Sequence, residues 1–150
     1  MADVAPKKQL RAICETIVRG SEGVLVWERD DRFSAAVSAF KKPDREKIHS
    51  LVERTFPLRW DERTVRSAPQ AVLDFVEAVG GLRPGQELFG SDVESGAMLW
   101  AGWWPWGDQQ TISLRIGVIC TDGSEAEEEQ LSQELLQWFG LGPKPMSLKR

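Results

Sequence analysis

Four of the seven tryptophans crowd into the stretch Ala97–Asp108, at positions 100, 103, 104 and 106. An indole brings so much apolar area that such a stretch has to lie against a core, a ligand or a partner. Ala97–Trp104 is a short apolar run and reads as a strand, and Pro105-Trp106-Gly107-Asp108 then turns the chain. Thr111–Cys120 follows with Ile112, Leu114, Ile116 and Val118 two residues apart, the period of a strand with one buried side. In an extended strand, residues 100, 104 and 106 share one side and 103 faces the other. Four indoles around one turn overfill the core of a small domain. Trp100 and one neighbour are therefore expected inside, against Phe75, Trp138 and Phe139, with the others at a rim beneath the 82–96 segment.

The rest of the chain supplies helices and a second hairpin. Leu10, Ile13, Cys14 and Ile17 recur at helical spacing over Lys7–Arg19, and Gly20 reads as the residue that ends that helix with positive φ. Val24–Glu28 is a short apolar run and Phe33–Phe40 alternates, so the two form a hairpin around Arg29–Arg32. A second helix over Asp44–Thr55 turns Ile48, Leu51 and Val52 inward, and Pro57 forbids its continuation. Asp61–Arg66 reads as a linker or edge strand. Ser67 with Gln70 reads as a capping box for a third helix over Pro69–Val79, with Val72, Phe75, Val76 and Val79 inward. Leu82–Gly96, rich in glycine and acid, reads as a loop. Ser124 with Glu127 caps a last helix whose first turns hold Glu125, Glu127, Glu128 and Glu129, where the positive helix end favours anions.

These elements define an α+β fold. A four- or five-stranded, mainly antiparallel sheet is packed by about four helices in the order α-β-β-α, linker, α-β-β-α. The two halves are possible pseudo-repeats: Gly23–Trp27 resembles Gly96–Trp100. The helix–hairpin–helix–strands–helix order is similar to that of roadblock and profilin-like domains and of type III secretion chaperones, a likeness of order alone. With 150 residues, 41% of them hydrophobic and 28% charged, the whole chain suits one globular domain. Residues 1–6 read as a flexible lead and 142–150 as a loose basic tail.

Composition also excludes functions. A net charge of −4 argues against binding nucleic acid or an anionic membrane. No run is long and apolar enough to span a bilayer, and Met1–Lys8 lacks the core of a signal peptide, so a cytoplasmic location is expected. The single histidine, His49, has no triad-like neighbours and reads as a boundary residue. Cys14 and Cys120 read as small core residues rather than a disulfide or reactive thiols. Asp30-Asp31 and Asp61-Glu62 read as turn residues, and the glycines at 80, 81, 85 and 90 form no phosphate-binding loop. The basic residues of 41–66 and the acidic last helix read as solvated faces. No metal site, cofactor or catalytic set emerges. The expected function is therefore non-enzymatic: a protein–protein interaction module of the regulatory, chaperone-like or immunity type. It would bind through Trp100, Trp103, Trp104 and Trp106, aided by Asp108 and Arg115, and an edge strand beside those indoles makes a homodimer plausible. The alternative is a small-molecule or carbohydrate sensor that uses the same aromatic surface as a pocket.

Overall fold

The computed structural model describes residues 7–142. The expected lead lies outside the described residues, as does the expected tail beyond Gly142. The chain runs α1 (Lys8–Gly20), β1 (Glu28–Asp30), β2 (Ala35–Lys41), α2 (Arg45–Thr55), β3 (Leu58–Asp61), α3 (Gln70–Ala78), β4 (Glu87–Gly90), β5 (Ala97–Pro105), β6 (Thr111–Cys120) and α4 (Glu125–Trp138). The class is α+β, but the sheet has six strands rather than four or five, in the order β1-β2-β6-β5-β4-β3, every neighbour antiparallel. The additional strands are β3 and β4. They were hidden because each is four residues long and one lies in the glycine-rich stretch expected to be loop.

The sheet is covered on both faces by separate cores. On the first face, alternate residues of β5 (Ala97, Leu99, Ala101, Trp103) and β6 (Ile112, Leu114, Ile116, Val118) meet the apolar stripes of α1, α2 and α4. On the second face, Trp60, Leu88, Met98, Trp100 and Ile119 meet Val72 and Val76 of α3. This arrangement removes the pseudo-repeat. In a duplication α3 would stand where α1 stands, yet the two helices lie on opposite faces of the sheet. Val24–Trp27, the counterpart of the β5 start, is not strand at all, and β1 begins only at Glu28.

Two helix ends differ from expectation for local reasons, and a third keeps its expected cap with a different reciprocal partner. Gly20 belongs to α1, and a β-carbon there would come within 2.5 Å of Leu51, so the glycine allows α1 and α2 to approach closely. Gly23, at φ +81°, turns the chain instead. Ser67 sits in a 3-10 turn (Val65–Ser67), and α3 starts behind Pro69 without a side-chain cap. Ser124 does cap α4, its hydroxyl accepting from Glu127 N at 3.3 Å. The reciprocal bond comes from Asp122, whose Oδ1 accepts from Ser124 N at 3.0 Å.

Candidate functional site

The β5–β6 hairpin occupies the middle of the sheet, so the tryptophans lie beside no edge strand. Pleat alternation divides them. Trp103 points into the first face, 1% exposed, edge-on to Phe40 (5.6 Å) and to His49 (4.8 Å, 84°). Trp100 points into the second face, 2% exposed, and packs on Phe75 with ring centres 4.5 Å apart. Neither indole is available to a partner, so both leave the expected contact set. Trp100 does meet Phe75 as expected, but Phe139 packs against Trp27 on the other face (4.7 Å).

Two indoles remain at the surface. Trp104 is half-buried on the second face, with its ring lying over Gly102, where a β-carbon would collide with it. Its other neighbour is Phe33, from the β1–β2 turn, stacked at 6.4 Å and 20°. The Arg115 guanidinium stands 5.5 Å from the Trp104 ring and 5.4 Å from Phe33, a cation over two aromatic rings. Arg115 is fixed there because its Nε donates to Asp30 Oδ2 at 2.6 Å and its Nη1 to Ser113 Oγ at 2.9 Å. Trp106, in the turn beyond β5, is 50% exposed. Asp108 is a turn residue: its carboxylate accepts from Gln110 N (2.8 Å), Thr111 N (2.9 Å) and Thr111 Oγ1 (2.8 Å). Those three bonds, the Gln110 amide foremost, hold its carboxyl below the usual carboxylate range.

Around this centre the second face is open. Val37, opposite Arg115, is half-buried, and Ala39, opposite Ser113, is exposed. Phe33, Val37, Ala39, Trp104 and Arg115 thus form a surface of apolar patches around one anchored cation. Chain alternation placed Trp104 and Trp106 on one side together with Trp100, without showing which of them are exposed. Phe33 and Asp30 were read only as strand and turn residues, and only the fold brings them to Arg115.

Two further clusters were not legible in the sequence. His49 Nε2 lies 3.0 and 3.2 Å from the Glu87 carboxylate oxygens. Arg59 Nε forms an ion pair with the same Glu87 at 2.8 Å, and its Nη1 donates to Glu53 Oε2 at 2.7 Å. This network ties α2 to the β3–β4 edge above Trp103 and Phe89, so His49 is a boundary residue with a carboxylate partner. Cys120, Asp122 and Glu127 place a sulfur and two carboxylates within 4.8 Å of one another, a donor set that could hold a metal ion. A cation already stands at that cluster, because the buried Lys7 ammonium is 3.6 Å from Glu127 Oε2. The Cys120 thiol is pushed up to about 11, first by burial and then by the charges of Glu127, Glu128 and Asp122, which keeps it protonated at neutral pH. Both cysteines are free and buried.

Among the described residues no helix is long and apolar enough to cross a membrane. The structure thus defines an α+β protein with a six-stranded antiparallel sheet and a partly open aromatic face. No family model, curated protein or solved structure matches the chain.

Proposed function

We propose that this chain is a non-enzymatic protein–protein interaction module, and that its contact surface is the open part of the second face with the hairpin tip. The observation that carries the reading is Trp104 stacked on Phe33 beside an anchored Arg115, with exposed Trp106 two residues along the chain. Tryptophan and arginine concentrate binding energy at interfaces, and here the guanidinium is already fixed by Asp30 and Ser113 before any partner arrives, which lowers the entropy lost on association. The rim carries both signs, Asp30 and Glu28 against Arg32 and Lys41, so charge complementarity would set orientation rather than strength. A regulatory, chaperone-like or immunity role is compatible with such a surface, in the cytoplasm or elsewhere.

Affinity capture tests this, using wild type, Trp106→Ala and, as a control on the covered face, His49→Ala, each first shown to be folded. A protein retained by wild type and His49→Ala but lost from Trp106→Ala, and confirmed by titration of the purified pair, supports the surface. Retention by all three removes it. Saturable changes in tryptophan emission with sugars or flat metabolites, with no protein captured, would favour the sensor reading instead.

A further inference from the structure

At the end of the sheet away from Trp106, the central strand β6 outruns one neighbour. It pairs with β5 along its whole length, as far as Ala97 opposite Cys120. On its other side it pairs with β2 only from Thr111 to Ile116, opposite Ala36. Ser34, at φ +51°, turns the chain away toward β1 before β2 can reach further. The last residues of a central strand therefore have a free edge.

Bond directions show which groups that edge presents. Thr111 O accepts from Trp106 N, and Thr121 N donates to Gly96 O, so odd-numbered residues of β6 bond toward β5. Gln110 O accepts from Lys42 N, so even-numbered residues bond toward β2. Val118 is even-numbered, and its N–H and C=O point to the side that β2 has left. The next even-numbered amide, Cys120 N, donates to the Glu128 carboxylate at 2.9 Å. A side chain of α4 thus occupies the place that a strand would fill.

This edge opens into a groove of about 920 Å³ between α3, the start of α4 and the β1–β2 turn. Val118 and Ile119 line it together with the aromatic rings of Phe33, Phe75 and Trp100. Its charged lining residues are Asp74, Glu125, Glu128 and Glu129 against Arg32 alone. The four carboxylates outweigh the positive end of the α4 dipole, whose effect is equivalent to roughly half a charge.

We propose that this groove binds an extended, lysine- or arginine-rich segment of another protein, which adds as a short strand against Val118. The Val118 backbone groups, without a strand partner among the described residues, favour a peptide over a small cation, because only a main chain can exchange both hydrogen bonds with them. The apolar walls accept alternate side chains, and the acidic rim selects for positive charge among the others. The site shares Phe33 with the Trp104–Trp106 surface but uses neither Trp104, Trp106 nor Arg115, so either can fail without the other.

Fluorescence anisotropy tests it with a dye-labelled peptide of alternating Val and Lys. Three comparison probes are used: the same peptide with Glu for Lys, the same peptide N-methylated at alternate residues, and free arginine amide as competitor. Wild type is expected to bind the basic peptide saturably, with the Val118 amide resonance shifting on titration. N-methylation should weaken binding by about tenfold or more, because it removes the strand-pairing donors. Ala78→Trp, which fills the groove from an exposed position on α3, should abolish it, and Trp106→Ala should leave it unchanged. Glu125→Lys with Glu129→Lys, checked for folding by circular dichroism, should lose the basic peptide and gain the acidic one. Absence of saturable binding to folded wild type overturns the proposal. So do equal binding of the acidic peptide, indifference to N-methylation or to Ala78→Trp, and displacement by arginine amide as effective as by unlabelled peptide.

Discussion

Gly117 lies in β6 directly under the Trp100 indole, and a β-carbon there would stand 2.7 Å from three of its ring atoms. Ordinary carbon contacts are about 3.5–4.0 Å, so Gly117→Ala demands that the ring retreat by roughly 1 Å. Phe75 and Phe33 stand against that movement on two sides, leaving the groove side as its outlet. Trp100 is 2% exposed, with Phe75 at 4.5 Å and Phe33 at 6.4 Å. Overpacking of this kind costs about 1–3 kcal/mol. Acting against it, alanine in a strand recovers the roughly 0.5–1 kcal/mol of backbone entropy that glycine loses. The steric cost wins, and a net loss of about 1–2 kcal/mol is expected, enough to lower Tm by roughly 3–8 °C. Urea unfolding followed by circular dichroism should show a lower midpoint with an unchanged slope. Gly102→Ala is the contrast. It displaces Trp104, which is already half-exposed and can swing into solvent, so stability should fall less while tryptophan emission shifts to the red. A Gly117→Ala midpoint equal to wild type or above it would refute the seating of Trp100 on the strand.

Three other predictions rest on single groups. Ser38 Oγ, buried on the first face, is the buried side-chain oxygen without a hydrogen-bond partner among the described residues; leaving such a group unsatisfied costs about 1–3 kcal/mol, so Ser38→Ala should raise the thermal midpoint, and a fall would show that the hydroxyl has a partner. The Asp108 carboxyl is held below its ordinary value of 3.8 by its turn donors; the stabilisation is therefore complete above that value and is lost as pH falls through the lower folded one, so an acid titration of stability should steepen below about pH 4 in wild type and lose that component in Asp108→Asn. Burial raises both thiols, Cys120 to about 11 and Cys14 further; a colorimetric thiol reagent at neutral pH should leave them unmodified in the native protein and titrate both in urea, and rapid native reaction of either would overturn that assignment.

Sequence periodicity carried the long elements and failed on the short ones, for a physical reason. The stripe Leu10, Cys14, Ile17 and the alternation through β6 each repeat often enough to identify their period. β3 and β4 are four residues long, and a period of two cannot establish itself over Glu87–Gly90 when two of its members are Glu87 and Gly90. Gly90 is there for packing, since Trp60 and Met98 lie 3.0 Å from where its β-carbon would be. A glycine on a strand that receives a neighbour's aromatic ring looks, in sequence, like a glycine in a loop. Gly102 and Gly117 likewise receive the rings of Trp104 and Trp100, but the longer runs around them still identify β5 and β6 as strands.

The tryptophan stretch shows where the limit lies for function. Alternation correctly separates 103 from 100 and 104, but whether a side is covered is a property of other elements. Trp103 is buried because α2 brings His49 across it, and Trp100 because α3 brings Phe75. Trp104 is half-open and Ala39 on the same face is exposed, and no local pattern encodes where the cover of that face ends. Arg115 makes the same point with charge. One arginine in the middle of an apolar strand conflicts with a wholly buried sheet, and that conflict was visible in Thr111–Cys120 from the start. Resolving it requires Asp30 and Phe33, which lie on another hairpin and approach only when β1, β2 and β6 are paired. A polar residue that breaks an otherwise continuous apolar strand therefore marks where a sheet face opens, even when the partners that stabilise it cannot be read from the sequence.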